Sequence, residues 1–416
     1  MPTPSQPPLH PPPWLFGITN IPFGVASGYT SVAMPFILSQ AGVPMATVGG
    51  ISAATLIPLS WQFLWAPMLD VGLRRRTWLL LAAALGALLL AASMLLRLPA
   101  QLWAFEVCCV LGSGLTGLVS ASNGALVATL VPPDLHGRAS GWLNAAYLGG
   151  NALGGGLVLQ LGDKLSAPTA ALGLGLLVFL PALAVLSLRE PQRPRQRAAE
   201  VFPAMLRDLW GTASSRSGWT GILFCVAPVS TAALLDLFSA VGEDYHAAAD
   251  TVSYTMGYGS GLVTAAGALL GGRLLDHMDK RQAYLLSGVL IAVVDLAIAC
   301  GPHTQGVYIA GTLAYSLAAG LCYAAFTAMV LQIIGKVDRS AATQYTLFDA
   351  SGNLATSYLT WLDGHGYDWF KARNLDGASG MLLTDAGMNL LGALGLWLMM
   401  WLVFRRRGQE APQPAS

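Results

Sequence analysis

Asp349 stands in an apolar run with Tyr345 four residues before it, Asn353 four after and Thr356 three beyond that. At helical spacing the four share one face. A carboxyl group on such a stripe at bilayer depth suggests a working group, because hydrocarbon offers it no water and proton exchange is the chemistry open to it. Asn144, Tyr147 and Asn151 form a matching polar stripe about 200 residues earlier. Two further acids fall inside or at the edge of apolar runs. Asp236 lies beside the acidic stretch "GEDYHAAAD" (242–250), as a guard of one mouth would, and Glu106 lies a few residues into its own run, facing an outer vestibule. Asp349, Asp236 and Glu106 are thus the proton-coupling candidates. Asp295 falls on a run expected at the periphery, which points to a structural role. The six histidines fall in loops or in the leading segment, so a histidine relay is not expected.

Some constellations are decoys. "GSGLTG" (112–117) matches the glycine pattern of dinucleotide sites, yet no strand precedes it and its setting is an apolar helix. Its glycines read as helix contacts. The five cysteines all sit in apolar runs without metal-ligand spacing and read as small buried hydrophobes. No phosphate loop and no Cys/His cluster is present, so neither a cofactor nor a metal is expected.

The elements that must position these groups follow from composition. Of 416 residues 54% are hydrophobic and 10% charged, against about 25% charged in ordinary soluble domains. Lys plus Arg total 22 against 21 acids, which leaves no basic face for nucleic acid. The apolar residues gather into twelve runs long enough to span a bilayer as helices. They fall near 14–39, 45–69, 77–97, 100–131, 139–161, 169–188, 218–241, 251–272, 282–301, 306–334, 341–362 and 386–404. The expectation is an all-α polytopic membrane protein with the bilayer as a partner. If both termini are cytoplasmic, only Arg97, Lys164, Lys371 and Arg373 of the 22 cations fall outside, so the positive-inside rule selects that orientation.

An internal repeat organises the runs. Leu69-Asp70, Arg75 and Trp78-Leu79-Leu80 recur with identical spacing as Leu275-Asp276, Arg281 and Tyr284-Leu285-Leu286, 206 residues later. Gly150-Asn151 recurs as Gly352-Asn353, offset by 202. Two six-helix halves in parallel repeat is the arrangement of the major facilitator transporters. The expected divisions are a Pro-rich leader (1–13), a first bundle (14–189), a linker (190–217), a second bundle (218–404) and a tail (405–416). Within the linker, Phe202, Met205, Leu206, Leu209 and Trp210 share a face suited to the membrane surface. The repeated charges Asp70, Arg75, Asp276 and Arg281 read as a cytoplasmic gate, paired across the halves when that side closes. The first, fourth, seventh and tenth helices should line the path. They offer Asn20, Ser27 and Thr30; Ser113, Thr116, Ser120 and Asn123; Ser230; and Tyr315, Tyr323 and Thr327. No lysine or arginine joins them, which favours polar, zwitterionic or cationic cargo.

"FLWAPMLD" (63–70) resembles the second-helix signature of the AmpG muropeptide permeases and their acetyl-coenzyme A transporter relatives, a major facilitator branch. The likeness continues through "AYLGGNALGGGLVLQLGD" (146–163), "REP" (189–191) and "SAATQYTLFDA" (340–350). That resemblance implies proton-coupled uptake of a small solute across a bacterial inner membrane by alternating access. The chain departs from the branch in helix 4, where "SASNGALVATL" (120–130) has no acid, and after Tyr147, where Leu148 stands in place of arginine. Both departures point away from muropeptide itself. A siderophore permease of the same branch, an exporter and a non-transporting sensor or scaffold are the other readings.

Overall fold

The computed structural model describes residues 11–409 apart from 66–67, 70–72, 133–134, 163, 191–202, 204–205, 208, 212, 275–277 and 335–340. The described residues form helices and turns without a strand: α1 (Pro13–Gln40), α2 (Met45–Ser60), α3 (Arg75–Ser93), α4 (Leu102–Leu130), α5 (136–162), α6 (Ala167–Ser187), α7 (Arg216–Val226), α8 (249–274), α9 (Lys280–Ala299), α10 (Gln305–Ile334), α11 (Ala341–Lys371) and α12 (Gly377–Gln409). Seven of them are by themselves long and apolar enough to cross a membrane. Proline opens α1, where its missing N–H costs nothing. The Ser215 hydroxyl caps α7 by accepting from the Gly218 N–H, and the Asp279 carboxylate caps α9 by accepting from Arg281 and Gln282.

The halves meet along α2 against α11 and α5 against α8. In a six-helix repeat α2 corresponds to α8 and α11 to α5, so the two seams are mates. Close approach needs glycine. A Cβ on Gly257 of α8 would overlap the Gly156 backbone of α5, and Ser253 Oγ donates to the Gly156 carbonyl across the same seam at 2.8 Å. One apolar core spans both halves, with Val25, Tyr29, Met45 and Ile51 beside Leu234, Phe238, Tyr245 and Met381. It lies toward the end that carries loops 41–44 and 237–248, called here the sealed end. Two other cores each belong to a single half: one holds Phe16, Leu79 and Leu126, the other Phe224, Tyr284 and Phe348.

Four spans differ from expectation. The run 45–69 is shorter than expected, for α2 stops at Ser60 and a separate short helix, Gln62–Trp65, follows Trp61. The run 218–241 is not one helix, for α7 stops at Val226. Pro228 cannot donate and crowds the preceding turn, and beyond it Ser230 and Ala232 take left-handed backbone, at φ 57° and 56°. Each such residue costs about 1–2 kcal/mol, so neighbours must hold the segment. They do, through side chains. Val226 and Val229 carbonyls accept from the hydroxyls of Tyr358 and Tyr284, both at 2.7 Å. Ser230 N–H donates to Asn389 at 2.9 Å, and Leu234 N–H to the Tyr315 hydroxyl at 3.3 Å. Open backbone at membrane depth is tolerated only where protein satisfies it in this way. The other two differences are of length: α11 continues past 362 to Lys371, and α12 begins at Gly377 rather than 386. Asp363, Asp368 and Asp385 depress hydropathy there, yet the helices continue through all three, with the acids turned inward or onto a neighbouring helix. Asp363 and Asp385 are fully buried, and Asp368 bonds to the start of α2. His365 accordingly lies within α11, not in a loop, with Nδ1 2.9 Å from the Trp361 carbonyl. In the linker, Leu209 is buried while Leu206 and Trp210 are exposed; Phe202 and Met205 lie outside the described residues.

Candidate functional site

Between the halves lies a cavity of about 440 Å³, lined from α1, α2, α4, α5, α8, α10, α11 and the unwound segment after α7. The two stripes singled out by spacing converge on it. Tyr147 and Asn151 enter from α5, and Asp349, Asn353 and Thr356 from α11. Thr30, Asp236 and Tyr323 also line it, with Ser113, Thr116 and Ser120 of α4. The Ser27 hydroxyl ties the α5 stripe to α1: it lies 3.2 Å from Tyr147 Oη and accepts from Asn151 Nδ2 at 3.3 Å. Phe23 stacks on Tyr147 at 5.3 Å between centroids, which fixes the ring. Opposite, Thr356 Oγ1 donates to the Thr231 carbonyl at 3.3 Å, so α11 holds the unwound wall in place. Among the described residues that line the cavity, Asp236 and Asp349 are the two acids and no Lys, Arg or His appears. The surface is therefore one of hydroxyls, amides, aromatic faces and two carboxyls, suited to a polar or cationic solute.

Other candidates lie elsewhere. Asn20 and Asn123 are buried away from the cavity in a clamp of α1, α4 and α5. Thr19 Oγ1 donates to Asn123 Oδ1 at 2.7 Å, Asn123 Nδ2 to Asn20 Oδ1 at 3.4 Å, and Asn20 Nδ2 to the Leu143 carbonyl at 3.2 Å. Packing of three helices satisfies these amides completely enough that none turns to the cavity. Asn144 is exposed, one turn before Tyr147 on the same helix face, and is not among the residues that line the cavity. Glu106 is half-buried one turn before Cys109, near the start of α4, also off the cavity. The side chain of Tyr345 lies outside the described residues, as do Asp70 and Asp276 of the gate. The gate cations contact their own halves. Arg75 Nη1 donates to the Ala125 carbonyl at 2.7 Å, and the Arg281 guanidinium lies 5.9 Å from the centre of the Phe224 ring. Glu190, from the "REP" stretch, caps α3 by accepting from the Arg75 and Arg76 N–H groups, both at 3.2 Å.

Tyr315 is fully buried and faces a group that hydropathy missed. Its hydroxyl donates to Asp385 Oδ2 at 3.3 Å, and Asp295 and Asp363 complete a cluster of three fully buried acids. Asp295 therefore belongs to the interior and not to the periphery. Among the described residues no group of His, Cys, Asp and Glu is arranged to hold a metal ion.

At the sealed end the halves are bonded directly. Asp368 accepts from the Met45 and Ala46 N–H groups at 3.1 and 2.8 Å, Ser39 Oγ donates to the Ala240 carbonyl at 2.7 Å, and Gln40 Nε2 to Glu243 Oε1 at 2.8 Å. Nearby, Tyr367 Oη donates to Asp244 at 3.2 Å, while burial pushes that loop carboxyl above its ordinary range.

A family model described as Major Facilitator Superfamily matches residues 16–358 and 221–416. No curated protein matches the chain. Among solved structures, a mutant of the nucleoside transporter NupG superposes with TM-score 0.71 at 13% identity, covering 93% of this chain and 98% of that one. A bacterial homolog to the human lysosomal transporter Spinster, inward-facing and occupied, gives 0.70 at 16%, covering 97% and 98%. A D-xylose-proton symporter gives 0.68 at 14%, covering 92% and 96%. At these identities the likeness is one of fold.

Proposed function

Since this chain belongs to the Major Facilitator Superfamily and is a membrane transporter, not an enzyme, we propose that it imports a small polar solute across a bacterial inner membrane, coupled to protons. The observation that carries this reading is Asp349, which faces the central cavity on a polar stripe with no cation among the lining residues. A carboxyl there can take a proton on one side and release it on the other as the halves rock about a fixed site. The cavity volume lies in the usual range for small-molecule sites, roughly 300–1,000 Å³. Its lack of cations disfavours strongly anionic cargo. With both termini cytoplasmic, the sealed end is periplasmic. The motif likeness to the AmpG branch supports import over export.

The test is uptake of peptidoglycan fragments and iron chelates in cells carrying wild type or Asp349→Asn. Wild type should accumulate one of these, with accumulation collapsing under a protonophore. Asp349→Asn should lose accumulation yet retain counterflow exchange, which moves no net proton. Full accumulation by the Asn variant removes Asp349 from the mechanism and turns attention to Asp236.

A further inference from the structure

The cluster behind the unwound segment does not belong to the cavity. Asp295 comes from α9, Asp363 from α11 and Asp385 from α12, and each is 0% exposed. Five of the six carboxylate oxygens receive no hydrogen bond, and the sixth takes the Tyr315 hydroxyl. Among the described residues, the charged and titratable groups that face the cluster from the helices around it are the acids themselves, with Tyr315 and Cys322 of α10, and no cation is among them. Asp295 and Asp385 are neighbours in this buried cluster. Neighbouring carboxyls buried with five oxygens unbonded and no donor between them are held together by a proton more readily than as two anions. A metal is the alternative filler, but the three acids are not disposed to hold one.

The cluster is also wired to the cavity wall. The Tyr315 hydroxyl accepts from Leu234 N–H while it donates to Asp385. One turn along α12, Asn389 donates from Nδ2 to the Asp385 carbonyl at 3.0 Å and accepts from Ser230 N–H at 2.9 Å. Residues 230 and 234 are thereby both tied to the Asp385–Asn389 turn, and between and beyond them Thr231, Ala232, Leu235 and Asp236 line the cavity. We infer that Asp295, Asp363 and Asp385 form a proton-binding site outside the cavity, whose occupancy sets the position of the unwound wall 230–236. Tyr315 and Asn389 act as positioning residues. With the shared proton present, Asp295 and Asp385 are held together and Tyr315 stays on Asp385. When it leaves, two adjacent anions repel, α9 and α12 shift apart, and the bond from Leu234 follows Tyr315. The site stands whether or not Asp349 is the coupling carboxyl of the cavity.

The test uses the full-length protein in lipid nanodiscs, without any solute, so that failure of the import reading and failure of this one are separable. Infrared difference spectra across pH should show a protonated-carboxyl band that Asp295→Asn and Asp385→Asn each remove and Asp349→Asn leaves in place. Hydrogen–deuterium exchange of residues 230–236, corrected for the chemical rate at each pH, should change with pH by up to about tenfold per unit, the limit for one linked proton. Tyr315→Phe should keep the infrared band and abolish that pH dependence, which a merely structural tyrosine would not do. A band that survives both Asn variants, one that sodium displaces at fixed pH, or exchange that keeps its pH profile in Tyr315→Phe overturns the proposal. If Asp385→Asn does not fold, Asp295→Asn and Tyr315→Phe decide it.

Discussion

The bond network at the sealed end makes a quantitative prediction about Asp368. Helix α2 starts after Pro44, whose side chain offers no cap, so the first N–H groups of the helix have no acceptor in their own half. Asp368, from the other half, accepts from both Met45 and Ala46. It is an N-cap supplied across the interface. Loss of a cap costs about 0.5–2 kcal/mol, and loss of an anion at the helix start about 0.3–1 kcal/mol more. Together these give about 1–3 kcal/mol, and all of it acts on one conformation, because opening this end carries Asp368 away from α2. Asp368→Ala should therefore shift the equilibrium between sealed and opened forms by roughly 5- to 150-fold toward opening. The assay is electron–electron distance spectroscopy between spin labels at Lys164 and Ala372, one in each half at this end, in a background freed of native cysteines. The variant should populate a longer distance that wild type shows weakly or not at all. An unchanged distance distribution, with or without a lower melting temperature, refutes the idea that Asp368 latches the halves and leaves it an ordinary surface contact.

Three further outcomes follow from other parts of the chain. A cysteine at Ser379 should react with an impermeant thiol reagent from the periplasm and one at Ser214 should not; the reverse pattern overturns the proposed orientation, which rests on cation placement. Asp70→Asn and Asp276→Asn should slow transport several-fold while changing stability by only about 0–1 kcal/mol, the range for a surface gate charge; normal rates in both would leave the repeat as a topology signal alone. Gly257→Leu should drive a side chain into the Gly156 backbone and cost about 1–3 kcal/mol by overpacking, read as a lower melting temperature with weakened sealing between Lys164 and Ala372.

How much of this was legible in the chain differs between fold and site. The spans and their pairing into halves follow from hydropathy and from the 202- and 206-residue offsets, since both reflect simple solvent and duplication constraints. The converging stripes were legible too, because Tyr147–Asn151 and Asp349–Asn353 each stand four apart on a helix and line the same cavity. The Asn20–Asn123 clamp was not, because an amide that bonds to a neighbouring helix and one that awaits a solute have the same sequence signature. The break after α7 was not anticipated either. Pro228 alone is compatible with a kinked continuous helix; what unwinds it further is a set of acceptors and donors from α9 to α12, Tyr284, Tyr315, Tyr358 and Asn389 among them.

The buried acids show why hydropathy fails where function concentrates. A window average counts Asp363 and Asp385 as costs and so ends one span at 362 and starts the next at 386, which pushes both residues into a loop. The real cost depends on the neighbours. An isolated buried carboxylate loses several kcal/mol of hydration, but a carboxyl that shares a proton with Asp295 or takes the Tyr315 hydroxyl does not meet that cost in full. Local spacing carries the missing signal. Asp385 and Asn389 stand four apart, the same relation that draws attention to Asp349 and Asn353, and Asn389 is in turn bonded to the segment that walls the cavity. The residue pattern that marks the path thus recurs one helix away, where it meets the backbone that shapes the path instead of the path itself.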